Sequence, residues 1–137
     1  MREILFRGKR KDNGKFVEGY YMYDDIPPFT NEPRTEIVRG GAHQWGYSMI
    51  PYEVVPETVG QYTGLTDKNG NKIFEGDIVE YARDEEVGRI AYHESEAMFV
   101  VNFDTWLTDF DHMYGKDLEV IGNIHDNPDL LKGGIKQ

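Results

Sequence analysis

Short runs rich in Val, Ile, Phe and Tyr alternate with turn signals along the chain, and no window holds a helical period over three turns. That pattern predicts a mostly β protein. Glu3–Arg10 and Lys15–Tyr23 flank Lys11-Asp12-Asn13-Gly14, and an Asn-Gly pair holds the positive φ of a tight turn at low cost, so a first hairpin is expected here. On its second strand the two side-chain sets are Phe16, Glu18, Tyr20, Met22 and Val17, Gly19, Tyr21, Tyr23. Neither set is wholly polar, which predicts packing on both faces, with a second subunit as one way to cover them. Pro27, Pro28 and Pro33 make Asp24–Arg34 a loop. Thr35–Arg39 reads as a strand, Gly40–Gly46 as loop, and Tyr47–Val55, which contains Pro51, as an edge strand. A second Asn-Gly turn spans Asp67–Lys72, after Thr58–Gly64 and before an expected strand Ile73–Ala82. Asp84–Glu86 reads as an acidic turn, and Gly88–Glu94, Met98–Thr105 and Asp117–Ile124 as further strands. Asn127 and Pro128 suit the start of a short helix, and Lys132–Gln137 a frayed tail.

These elements predict one domain over residues 1–131: an N-terminal hairpin lobe at about 1–56, a barrel-like lobe at about 57–124 and a terminal helix at about 127–131. The second lobe is expected to be a small SH3-like barrel, with α+β as the alternative fold class. The expected core includes Ile4, Phe6, Val59, Ile73, Ile78, Val79, Ile90, Val100, Phe103, Val120 and Ile121.

Composition narrows the chemistry. The chain has 137 residues and no cysteine, which removes disulfide scaffolds, thiol catalysis and cysteine-ligated metals. No stretch is apolar enough to span a membrane as a helix. The net charge is −10. It is uneven: residues 1–60 carry 8 Lys/Arg and 9 Asp/Glu, and residues 61–137 carry 7 and 16. The first fifteen residues alone have a net charge of +4, so a basic leading end precedes an acidic body.

Several blocks resemble the YopX family of phage and prophage proteins. They are Met1–Ile4 with Phe6–Arg10, Asn13–Tyr20, the long run Glu57–Gly70 continuing through Lys72–Val79, and Glu119–Ile124 followed by Asn127-Pro128 and Leu130-Leu131. The resemblance covers most of Arg2–Leu131 and is weakest at Asp24–Tyr52 and Ala82–Lys116. It implies a phage or prophage origin and a place in the host bacterial cytoplasm. It implies no chemistry, because the family is one of unknown function and brings no catalytic residues to carry over.

The residues themselves offer few sites. Glu75-Gly76-Asp77 sets two carboxylates on one side of a strand, a pattern that can bind a cation or do acid–base work. The structural reading is preferred: Gly60, Tyr62, Gly64, Glu75, Gly76 and Asp77 form the bend where the chain enters its barrel. Of His43, His93, His112 and His125, the last three have acidic neighbours that could supply metal ligands, but no two histidines have metal-ligand spacing. Ser48 and Ser95 lie in no nucleophile elbow, and no phosphate-binding loop is present. Arg7, Lys9, Arg10 and Lys11, with aromatics nearby, are a candidate nucleic-acid or partner surface. The leading expectation is therefore a non-enzymatic module that binds a host or phage macromolecule and forms a homo-oligomer, with no cofactor. The alternatives are nucleic-acid binding through the basic hairpin, which the net charge disfavours, and a metal-assisted hydrolase using Asp77.

Overall fold

The computed structural model describes residues 3–24, 32–81, 86–103, 107–109 and 116–131. They form eleven strands, one 3-10 turn and a short helical turn at 129–131. The fold is mostly β, and all its strand pairs are antiparallel. The chain divides into two compact units, Met1–Gln61 and Tyr62–Gln137.

In the first unit, β1 (Phe6–Lys9), β2 (Phe16–Asp24), β3 (Arg34–His43) and β4 (Gly46–Glu53) lie in the order β4-β3-β2-β1, and the opening of β5 (Gly60–Thr66) adds to β1. The expected first hairpin is present, with Lys9 opposite Phe16. Its turn is tied by Gly14 N–H to the Arg10 carbonyl at 2.9 Å and by Lys15 N–H to Asn13 Oδ1 at 2.9 Å. Strand β3 is longer than the sequence predicts. It runs through Gly40 and Gly41 to His43, where a loop was expected, and pairs with β4 without a break. The Tyr47 ring explains why a Gly-Gly step survives in a strand: a methyl group built on Gly40 would fall on the Tyr47 hydroxyl. The aromatic ring fills the space that a side chain would otherwise take. Val17, Ile37 and Val54 are the core of this unit, with Phe6, Tyr52 and Val59 against them. Ile4, an expected core residue, is 56% exposed; it precedes β1 and has no strand partner to bury it.

In the second unit, the rest of β5 pairs with β6 (Lys72–Phe74), and β7 (Asp77–Tyr81), β8 (Glu86–His93), β9 (Met98–Phe103), β10 (Leu107–Asp109) and β11 (Leu118–Asn123) form a sheet of order β10-β9-β8-β7-β11. One face of that sheet supplies the core: Val79, Ile90, Val101, Phe103 and Leu118 pack with Ile73 of β6. The expected single strand Ile73–Ala82 is cut in two at Glu75-Gly76. Gly76 has φ +95°, donates its N–H to the Ile90 carbonyl and accepts from Ile124 N–H. A side chain there would strain the left-handed backbone. This turn sends β6 to β5 and β7 to the other sheet, so the strands that a barrel needs are divided between two sheets. Among the described residues no pair joins β10 to β11, and the SH3-like barrel is replaced by an open sheet. The helix at the end is one turn long, and Asn127 Oδ1 holds it to β11 by accepting Asn123 N–H at 3.2 Å. No helix among the described residues is long and apolar enough to cross a membrane. Trp106, His112, residues 82–85 of the acidic turn region and the tail 132–137 lie outside the described residues.

Candidate partner surface

The two carboxylates of Glu75-Gly76-Asp77 belong to different elements, Glu75 to the turn and Asp77 to the start of β7. Asp77 is 2% exposed and its Oδ2 accepts Phe74 N–H at 2.8 Å, across the Gly76 turn. Glu75 is half-buried in the turn itself. Upstream, Gly60 is buried opposite Arg7, and Tyr62 stacks on Phe74 with centroids 5.5 Å apart. Gly64, at φ +92°, sits in the register shift between Tyr62 and Thr66. Gly64 and Gly76, by their positive φ, and Asp77, by its bond to Phe74 N–H, act on the backbone here. Among the described residues, no group of three or more His, Asp or Glu side chains is gathered to hold a metal ion.

Sequence reasoning passed over Asp67, which is buried and does comparable work. Its carboxylate accepts N–H groups from Asn69 (2.9 Å), Asn71 (2.9 Å) and Val120 (2.9 Å), and the Asn71 amide at 3.3 Å. Burial acts to raise the Asp67 pKa; the hydrogen bonds from Val120 and Asn71 lead those that outweigh it and hold the carboxyl below its ordinary value. An Asx turn starting at Asp67 was the signal available in the sequence.

The four hairpin cations are not brought onto one face. Arg7 and Lys9 lie over the Phe16 ring, 4.5 and 5.9 Å from its centroid. Arg10 lies over Tyr52 at 4.5 Å, on the core side of the sheet, and its guanidinium pairs with Asp12 at 2.6 Å. The side-chain hydrogen bond between them lowers the Asp12 pKa and raises that of Arg10. Lys11 pairs with Glu53 at 3.1 Å. A small cleft of about 170 Å³ lies between these groups, lined by Arg10, Lys11, Asp12, Pro51, Tyr52 and Glu53. It contains as many carboxylates as cations, so it has no net charge with which to draw a phosphate.

The feature that sets this molecule apart is elsewhere. Of the ten large hydrophobic side chains exposed among the described residues, eight lie between Tyr20 and Ile50. Register and alternation place Tyr20, Met22, Tyr47 and Met49 on one face of β2–β4, and Tyr21, Tyr23 and Ile50 on the other. Tyr47 is 67% exposed and Tyr20 60%. Trp45, at the β3–β4 turn, is 83% exposed. The sequence carried a signal for this region: Gly40–Tyr52 is a run of thirteen residues without a charge, in a chain that is 29% charged.

The structure thus defines an antiparallel β protein of two units, with its polar anchors turned to its own backbone and its apolar excess on three outer strands. The model of the YopX family, described as "YopX protein", matches residues 5–132, and the chain belongs to that family. A solved structure, "Crystal structure of protein EF1440 from Enterococcus faecalis", is similar over 96% of this chain and 99% of that chain, with 25% identity and a TM-score of 0.63. No curated protein matches.

Proposed function

We propose that this YopX-family protein is a non-enzymatic phage or prophage accessory module that binds a macromolecule in the host cytoplasm through β2, β3 and β4 of its first unit. One observation carries the reading: eight of ten exposed large hydrophobics gather on these strands and their turn. An apolar surface rich in Tyr and Met, kept in water at a steady free-energy cost, is the composition of a contact surface. The hydrolase alternative draws no support among the described residues, where Asp77 serves Phe74 N–H.

The test is capture of tagged protein from infected-host lysate, with and without nuclease, against two double variants. Tyr20→Ser with Tyr47→Ser is expected to lose the captured partner at unchanged fold, while Tyr92→Ser keeps it. Unaltered capture by the first variant overturns the reading. Capture that vanishes with nuclease, and with Arg7→Ala plus Lys9→Ala, replaces it with nucleic-acid binding through the Phe16 side of the hairpin.

A further inference from the structure

Resting on that reading, we infer that β4 pairs edge to edge with β4 of a second copy of this chain, so that two Tyr/Met faces merge into one surface. The argument begins with the backbone. From Gly46 to Tyr52, β4 is paired only with β3 among the described residues; at its end the Glu53 carbonyl accepts Lys11 N–H at 3.0 Å, which closes the edge there. Pro51 lies opposite Val38 and has no N–H, so this pair is a non-hydrogen-bonded one and Pro51 faces the open edge. Alternation then turns the N–H and C=O of Tyr47 and Met49 to the same edge. Pro51 ends the usable run on one side.

Natural sheets protect such an edge with charged side chains, Lys above all. This edge has none from Gly46 to Tyr52. Charge also selects the occupant. Residues 61–137 carry a net −9 and residues 1–60 a net −1, so two copies repel least where they meet through the first unit. An uncharged edge gives a nucleic acid or a basic protein no handle, whereas an antiparallel edge is complementary to itself about a two-fold axis. Tyr20, Met22, Tyr47 and Met49 are 44–67% exposed. Pairing at the edge leaves these four side chains of each copy on one continuous face.

The register follows. Using both open donors on each copy centres the axis on Ser48, with Tyr47 of one copy opposite Met49 of the other. Ser48 then faces its own counterpart in a non-hydrogen-bonded pair, with Cα atoms about 4.5 Å apart, within the ~4.4–6.8 Å span of a disulfide.

The chain lacks cysteine, so Ser48→Cys gives a single thiol. Under mild oxidation it should form a covalent dimer at least tenfold faster than Tyr92→Cys, which lies in the other unit. Light scattering should show the unmodified full chain as a dimer at tens of micromolar. Met49→Lys should raise the dissociation constant at least tenfold, with an unchanged circular dichroism spectrum. Met49→Pro, which removes one outward donor, is a second variant and should do the same. A monomer up to about 100 μM, a dimer indifferent to both Met49 variants, or no preference of Ser48→Cys for itself overturns the inference. A monomer that still captures a partner through Tyr20 and Tyr47 defeats the pairing and leaves the proposed function standing.

Discussion

The β7–β9 and β11 sheet and the β2–β4 strands are built from similar side chains and use them in opposite ways. In the former, Val79, Ile90, Val101, Phe103 and Leu118 are all buried, and the nearby carboxylates Asp67 and Asp77 hold backbone N–H groups. In the latter, tyrosines and methionines stand in solvent on both faces. A chain with too few apolar residues would bury those it has. This one buries an ample set in one place and withholds another, and the contrast separates side chains that hold the fold from side chains that wait for contact.

The comparison breaks first at the buried side. Ile73→Ala should destabilise by about 3–4 kcal/mol, the usual range for truncating a fully buried aliphatic side chain; a loss under about 1 kcal/mol in urea unfolding would show that this core is loosely packed. Asp67→Ala should cost about 2–3 kcal/mol, because it strands the N–H groups of Asn69, Asn71 and Val120. The same carboxyl predicts a pH dependence. Its native pKa is lowered, so its contribution is complete above the unfolded value of about 3.9 and is lost as pH falls through the native value. Acid unfolding of the wild type should therefore be steeper than that of Asp67→Asn, and equal slopes would contradict the hydrogen-bond count.

On the exposed side the expected effects shrink. Gly40→Ala meets only the movable end of Tyr47, so stability should fall by less than about 1 kcal/mol, while the Tyr47 ring is displaced and its fluorescence changes. Lys11→Ala should alter stability by about 0.5 kcal/mol or less, since its pair with Glu53 is exposed; thermal melts resolve both.

Turn chemistry made much of the fold legible. Asn13-Gly14 announced the first hairpin, and Pro51 marked β4 as an edge. The break at Gly76 was less visible, because Ile73-Phe74 and Ile78-Val79 read as one apolar run until the turn divides them between sheets. The Gly40-Gly41 step read as loop because its filler, Tyr47, arrives from the next strand. Candidate residues fared differently. Spacing suggested paired carboxylates at Glu75 and Asp77, but alternation is a rule about strands, and Glu75 lies in a turn. The basic cluster failed to assemble for the same reason in reverse: Arg7 and Lys9 share a face that Arg10 leaves. Exposure of Tyr20 or Met49 depends on which side of β2–β4 the core of their own unit occupies, and that no local pattern records.

The bond from Asp67 to Val120 N–H joins positions 53 residues apart in sequence. In a chain without cysteine, such carboxylate–amide ties take the place that cross-links hold in other small proteins. They carry no redox potential, so reductants and oxidants leave them alone. Their reagent is the proton: this fold is fastened by groups that acid, and not a change of thiol poise, unties.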